Sequence, residues 1–215
     1  MRRLDQVKKF RLSSKRADTV KLATIPSEFA FSSHVENEYL IVPSASSERR
    51  RYIPMAFMSA NVIASNLCLI IPGADRFHFG VMTSAIHMAW VKQVCGRLKS
   101  DYGYSAGLVY NNYPWPDSPS PKQRAAVEAK AQGVLDARAK FPQASLADLY
   151  DPLTMSPALT KAHAELDKAV ERCYRPEPFA SDRARVEFLF ALYEKLISPL
   201  TAGLTTGKRK RKQAE

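Results

Sequence analysis

The sequence predicts an α+β protein, with a mixed α/β part up to about residue 118 and a smaller, all-helical part after it. Two observations separate the parts, and composition changes between them near Trp115. Upstream, the apolar runs are short and rich in β-branched and aromatic residues, as is typical of strands. Downstream, apolar residues recur at three- and four-residue spacing, as is typical of amphipathic helices.

Five apolar runs in the first part are predicted to be strands, because turn residues separate them. The runs lie at 39–42, 52–53, 55–58, 62–63 and 67–71. A single helix is predicted at 79–95, where apolar residues recur at helical spacing, and Gly96 marks its end. The polar stretch 97–105 has no such period, and we expect it to be irregular.

Three helices that begin at serine caps are predicted in the second part. The segment 120–123, Ser-Pro-Lys-Gln, has the pattern of a capping box with proline at the first helical position. Ser156 and Ser181 begin the other two helices, and Pro199 ends the last. The residues expected to face inward are Val127, Ala131, Val134, Leu135, Leu159, Leu166, Val170, Cys173, Val186, Leu189, Phe190, Tyr193 and Leu196. The expected domains are therefore 1–118 and 119–205, followed by a disordered basic tail at 206–215.

The chain carries an excess of positive charge. Its 32 lysines and arginines outnumber 21 acidic residues, which gives a net charge of +11. Five of the positive charges lie at 208–212, but residues 1–60 also carry 11 basic against 6 acidic side chains. A basic domain is expected of a protein that binds a polyanion, although charge alone fits a basic, solvated surface equally well.

The cysteines and the apolar runs limit the class of protein. The three cysteines form no C-x-x-C pair, which indicates reduced core residues in a cytoplasmic protein and no metal site. No apolar run approaches the ~20 residues of a membrane-spanning helix. The first residues are polar, so no signal peptide is expected.

The sequence contains no recognisable catalytic motif and no cofactor loop. Neither G-x-G-x-x-G nor G-x-x-x-x-G-K-[ST] occurs, so no cofactor is expected in this chain. His87 and His163 lie alone in predicted helices and are expected to be structural. His163 and Glu165 have the H-x-E spacing of zinc deaminases, but no P-C-x-x-C follows.

Two other segments match catalytic motifs only in part. Asp117, Glu128 and Lys130 have the letters of a P-D…E-x-K nuclease site, but the last two fall in a predicted helix, where they are not expected to converge on a metal. The segment 112–115, Asn-Tyr-Pro-Trp, partly matches the [DNS]-P-P-[YFW] loop with which amino-methyltransferases hold a base, but the second proline is missing. We therefore assign no catalytic residue.

Three clusters of basic and polar side chains are the candidate binding residues. Arginine and lysine suit phosphates and guanine, aspartate suits the amino group of cytosine, and serine suits either base. A solvated loop explains each cluster about as well, but three such loops in one basic chain favour nucleic acid. The candidates are Arg97, Lys99, Ser100, Asp101, Tyr102 and Tyr104, then Ser47, Arg49, Arg50 and Arg51, and finally Lys15 and Arg16.

Several ordered strings resemble the C-terminal part of MmeI-like restriction–modification enzymes. They lie at 46–54, 82–90, 95–102, 109–116, 145–152 and 166–170. The resemblance covers about residues 7–200 and implies a target-recognition domain for double-stranded DNA followed by a helical domain. It also implies that the parent type II enzyme supplies an S-adenosylmethionine-dependent adenine-N6 methyltransferase domain, often with a nuclease, neither of which has a counterpart here.

The resemblance singles out two residues as readers of a base pair. In the family, the pair that flanks the serine of the R-L-x-S-x-Y stretch is either Lys with Asp or Glu with Arg, and it tracks one base pair of the target. Here the pair is Lys99 and Asp101. Gly103 replaces a basic residue that is often found there, so one phosphate contact is not expected.

Two alternatives remain open at this point. The chain could be a methyltransferase in its own right, in which case it would bind S-adenosylmethionine. It could also be a basic helical protein that binds RNA or serves a structural role, in which case its binding would be indifferent to duplex DNA sequence. A local Lys99–Asp101 ion pair is the corresponding alternative at the level of the two residues.

Overall fold

The computed structural model of the protein describes residues 2–29 and 35–202. It confirms the α+β class. The tail predicted to be disordered at 206–215 lies outside the described residues. The helices are α1 Arg2–Leu12, α2 Ala17–Lys21, α3 Arg76–Met82, α4 Ala85–Val94, α5 Pro121–Ala139, α6 Leu146–Leu149, α7 Pro157–Glu171 and α8 Asp182–Ala202. The strands are β1 Tyr39–Pro43, β2 Ala45–Ser46, β3 Ala56–Met58, β4 Cys68–Pro72, β5 Gly96–Leu98 and β6 Asp101–Gly103.

The strands form two small antiparallel sheets. In the first, β1 lies between β3 and β4, and in the second β6 lies between β2 and β5. Strands predicted at 39–42, 55–58 and 67–71 are confirmed to within a residue or two. The runs 52–53 and 62–63 are not strands: the first is buried without a strand partner, and the second lies in an exposed turn.

The helix predicted at 79–95 is two helices, α3 and α4. The break falls at Thr83 and Ser84, where the Ser84 side chain accepts a hydrogen bond from the backbone N–H of His87 and caps α4. A serine that bonds the backbone locally offers an alternative to continuing the helix. The chain therefore turns between two largely buried helices.

The capping signals of the helical part are confirmed. Ser120 and Gln123 form the predicted capping box of α5, and Ser156 caps α7. Helix α8 continues past Pro199, the residue predicted to end it. Because proline has no N–H to donate to the Lys195 carbonyl, that carbonyl accepts from the Ser198 hydroxyl instead. Two of the thirteen residues predicted to face inward are exposed, namely Phe190, which still packs on Trp90, and Leu196.

The mixed and helical parts share one apolar core. It runs from Leu40 in β1 through α3 and α4 to Leu189 in α8. Helix α3 packs against α5 at Gly80, where an added Cβ would lie 2.7 Å from a Val127 methyl carbon. The elements that precede residue 118 are therefore held in place by the helices that follow it.

Three further features bear on the sequence predictions. The cysteines are free, but only Cys173 is buried, while Cys68 and Cys95 are half-buried. Helices α1, α2 and α6 have no counterpart in the sequence prediction. No helix in the described ranges is long and apolar enough to cross a membrane.

Candidate nucleic-acid interface

The stretch expected to be irregular, 97–105, contains a β-hairpin. Strands β5 and β6 pair with Leu98 opposite Asp101, so Lys99 and Ser100 alone form the turn. Lys99 has φ 58°, in the left-handed region that costs an L-residue about 1–2 kcal/mol. The Lys99 side chain is exposed at the tip of the hairpin. Asp101 lies directly beside the turn, so the two predicted base readers are adjacent in space.

Arg97 stabilises this hairpin. Its guanidinium lies 4.5 Å from the centre of the Tyr102 ring, and it donates to the carbonyls of Ser100 at 3.0 Å and Lys92 at 3.4 Å. These contacts join α4 to both strands and to the turn. Arg97 is predicted to contact DNA, and the contacts it makes give it a positioning role in addition.

The arginine loop, residues 47–51, lies beside the hairpin. It follows β2, which pairs with β6 through Ser46 opposite Tyr102. The backbone of Glu48 is held at both ends: its N–H donates to Asp101 Oδ1 at 3.2 Å, and its carbonyl accepts from the Tyr102 hydroxyl at 3.3 Å. The fold therefore brings two of the three predicted clusters together, although 46 or more residues separate Arg51 from Arg97 along the chain.

The charged side chains of these two elements face solvent. Arg49 and Arg51 are exposed, Arg50 is half-buried, and Ser47 accepts a hydrogen bond from the Arg49 backbone. Lys99 forms no ion pair with Asp101 or with any other carboxylate of residues 2–29 and 35–202. The local Lys99–Asp101 ion pair considered from the sequence is therefore not formed.

Tyr102 and Tyr104 do not lie on this surface. They are 5 % and 3 % exposed, and the Tyr104 hydroxyl lies 3.2 Å from His87 Nε2 in the core. Burial raises the pKa of Tyr104 and lowers the pKa of His87 to about 3. The interpretation of both tyrosines as DNA contacts is corrected to a supporting role. Alternation of side chains along a strand gives this result, because Asp101 and Gly103 face out where the tyrosines face in.

The third cluster, Lys15 and Arg16, lies in the turn between α1 and α2 and is exposed. The described hydrogen bonds of residues 2–29 remain within that segment, where Arg11 donates to the carbonyls of Leu22, Ile25 and Glu28. The structure therefore does not join this cluster to the hairpin.

The residues of the nuclease-like motif are dispersed. Glu128 pairs with Arg124 at 3.1 Å, and Lys130 pairs with Glu165 at 2.6 Å on the neighbouring helix. Asp117 accepts from its neighbour, the Ser118 hydroxyl. In the part of the chain that is described, no group of three His, Cys, Asp or Glu side chains is placed to hold a metal ion.

The positive charge is unevenly distributed along the chain. Residues 1–29 carry 8 basic and 3 acidic side chains, residues 30–118 carry 7 and 6, and residues 119–207 carry 12 and 11. Outside the tail, the excess therefore lies mainly in the N-terminal segment, and the arginine loop is a local cluster of three arginines beside Glu48. A local cluster of this kind raises the local concentration of a polyanion more than an evenly spread charge would.

Comparison with known proteins gives matches over almost the whole chain. Residues 1–117 match the family model "MmeI, target recognition domain", and residues 119–201 match "MmeI, C-terminal domain". A relative named DNA methyltransferase A, from Bacillus subtilis (strain 168), is 42% identical over 194 residues, which are 90% of this chain and 22% of the relative.

The solved structure of the type IIL restriction–modification enzyme MmeI in complex with DNA is similar in fold and sequence. It matches with a TM-score of 0.85 and 44% identity over 91% of this chain and 26% of that chain. The chain therefore spans about a quarter of the length of these relatives. It belongs to the MmeI family and corresponds to the target-recognition and C-terminal domains of that family.

Proposed function

We propose that the chain recognises a specific sequence in double-stranded DNA for a type II restriction–modification adenine-N6 methyltransferase and performs no chemistry itself. The observation that carries the proposal is the adjacency of the exposed hairpin tip and the arginine loop, which brings Lys99 close to the three arginines of the loop. The catalytic part, with its S-adenosylmethionine, would come from the remainder of a longer enzyme, since no cofactor loop occurs in this sequence.

The two elements suit different parts of a duplex. A two-stranded β-ribbon fits the major groove, where each base pair presents its own pattern of donors and acceptors. Lys99 donates to guanine O6 and N7, and Asp101 accepts from the amino group of the paired cytosine through Oδ2, while Oδ1 is held by Glu48. Arg49, Arg50 and Arg51 would bind the phosphates beside the groove, and Ser47, Ser100 and Arg97 would add polar contacts.

The N-terminal segment is the proposed contact with the catalytic domain. This segment exposes five large apolar side chains, of which Phe10 is the most exposed at 75 %. Among the described residues, its hydrogen bonds remain within the segment. Five large apolar side chains exposed on one short segment support a protein–protein contact there. Lys15 and Arg16, at the turn of the same segment, would reach DNA phosphates near that junction. The five side chains are Leu4, Phe10, Leu12, Ile25 and Phe29.

Selection from randomised duplexes tests the reading role. The chain is incubated with random-sequence DNA, and bound duplexes are sequenced for the wild type and for a variant with Lys99→Glu and Asp101→Arg. One selected position should change from G to C, because donor and acceptor are exchanged across the pair. An unchanged motif, or an even loss of binding at every sequence, would show that these residues are not the readers.

Two controls separate this function from its alternatives. Deleting 208–215 should lower the salt dependence but keep the selected motif, whereas loss of all binding would assign it to the tail. Labelled S-adenosylmethionine should transfer no label to DNA, and transfer abolished by a substitution in this chain would make it an enzyme. Equal affinity for duplex RNA would favour the RNA-binding alternative.

A further inference from the structure

One buried carboxylate of the helical part, Asp167 in α7, forms hydrogen bonds with the residue after the arginine loop and with the first residue of α4, the helix that precedes the hairpin. The Tyr52 hydroxyl donates to Asp167 Oδ2 at 2.7 Å, and the backbone N–H of Ala85 donates to Asp167 Oδ1 at 2.7 Å. Asp167 is 7 % exposed, and Tyr52 is buried. Each carboxylate oxygen therefore holds a different segment of the mixed part.

The first segment is the arginine loop. Tyr52 follows Arg51 directly, and the Arg51 guanidinium lies 5.4 Å from the centre of its ring. The same ring stacks on His163, one turn before Asp167 on α7, with centroids 4.0 Å apart and an interplanar angle of 17°. Three residues further along the chain, Arg138 of α5 donates to the Met55 carbonyl at 2.6 Å. The end of the loop is thus fixed by contacts from α5 and α7.

The second segment is the hairpin. Ala85 is the first residue of α4, and Cys95 alone separates the end of α4 from β5. A helix of ten residues is a rigid rod of about 15 Å, so fixing its first turn sets where the hairpin begins. The Asp167 carboxylate also lies at the N-terminus of α4, where negative charge is favourable.

We propose that Asp167 is a positioning residue that sets the arginine loop and the base-reading hairpin relative to one another, so that both contact one duplex. The inference rests on the proposed function, since it takes these two elements as the DNA-contacting ones. Asp167 itself is buried and touches no DNA. Through its two hydrogen bonds, the helical part fixes the positions of the two elements that are proposed to contact DNA.

Two measurements on the full chain test the inference. The first is the rate of trypsin cleavage after Arg49, Arg50 and Arg51, divided by the rate after Arg183 on α8. The second is the slope of log affinity for duplex DNA against log salt concentration, whose magnitude falls by about 0.9 for each phosphate that the protein no longer neutralises. A protein that is only less stable is cut faster at every site, and its slope is unchanged.

The variants separate positioning from stability. Asp167→Ala should raise the cleavage ratio about tenfold and lower the magnitude of the slope by the equivalent of about one to three phosphates. Tyr52→Phe removes only the bond to the loop and should give a smaller change in both. Asp167→Asn should restore both values, since its amide oxygen accepts from Ala85 and its amide nitrogen donates to the Tyr52 oxygen. Glu165→Ala, an exposed ion-pair change on the same helix, should match the wild type.

The outcomes decide between the claims. If Asp167→Ala and Tyr52→Phe are folded and keep the wild-type ratio and slope, or if cleavage rises equally at all sites, Asp167 does not position the loop. Should Asp167→Ala fail to fold, Tyr52→Phe alone decides. If the wild type binds no duplex DNA, the proposed function fails, and the cleavage ratio still shows whether Asp167 holds the loop.

Discussion

Replacing Lys99 by glycine should make the protein more stable and its DNA contact weaker. The left-handed backbone at φ 58° costs lysine about 1–2 kcal/mol, and glycine adds about 0.5–1 kcal/mol of unfolded-state entropy. The midpoints of these two ranges differ by about 0.75 kcal/mol, a net gain that corresponds to a rise in Tm of roughly 1.5–3 °C for a chain of this size. Losing the ammonium group removes the proposed base contact, which would contribute about 1–3 kcal/mol, so affinity should fall roughly 5- to 160-fold.

Thermal unfolding and fluorescence anisotropy with a selected duplex measure the two effects. Ser100→Gly is the matched control, because Ser100 lies in the same turn without a positive φ and its carbonyl still accepts from Arg97. It should lose about 0.5–1 kcal/mol of stability. If Lys99→Gly loses as much stability as this control, the backbone is not strained. If Lys99→Gly binds DNA as well as the wild type, the ammonium group is not a contact.

Two further predictions concern the fold that carries the interface. Gly80→Ala should lower the free energy of unfolding in urea by about 1–3 kcal/mol, because the added Cβ would lie 2.7 Å from a methyl carbon of α5. Gly133→Ala is the control: it lies on α5 beside open space and should raise the free energy of unfolding by about 0.5–1 kcal/mol. Equal effects of the two substitutions would contradict the close packing at Gly80. Acidification from pH 7 to 5 should cost about 2 kcal/mol net. Burial lowers the pKa of His87 and of His163 to about 3, so each contributes stability that is lost as pH falls below the unfolded value of about 6.5. Burial raises the pKa of Asp167 to about 6, so its protonation between pH 7 and 5 stabilises the folded state by about 1 kcal/mol and offsets part of that loss. A protein that is more stable in urea at pH 5 than at pH 7 would refute these assignments.

Helix caps, which depend on residues only three positions apart, could be predicted from the sequence. The capping box at Ser120 and the cap at Ser156 use hydrogen bonds to N–H groups three residues away, and both are formed. The hairpin at 96–103 could not be predicted, because its strands have three residues each, too few to establish a period of two. Tyr52 is predicted to lie in a strand because aromatic and β-branched residues favour strands, but contacts with α7 bury it instead.

The arrangement of the site depends on contacts between distant residues. Asp167 and Tyr52 are 115 residues apart, and nothing in the local pattern around either residue indicates the hydrogen bond between them. The contact of Glu48 with Asp101 spans 53 residues. The clusters at 47–51 and 97–101 could therefore be predicted as candidates from their side chains, whereas their adjacency follows only from the pairing of β2 with β6.

The hairpin is suited to the proposed exchange of charges at Lys99 and Asp101. Its backbone is braced by Arg97 and by β2, so the fold does not depend on the Lys99 side chain, which makes no ion pair within the described ranges. Exchange of Asp101 for arginine removes one acceptor, and the Glu48 N–H that it leaves lies in an exposed loop, where water replaces the bond at a cost of about 1 kcal/mol or less. That cost is smaller than the ~1–3 kcal/mol of a good base contact. We therefore expect the protein to keep its fold when donor and acceptor are exchanged at these two residues, so that the proposed reversal of the base pair can be tested on a folded variant.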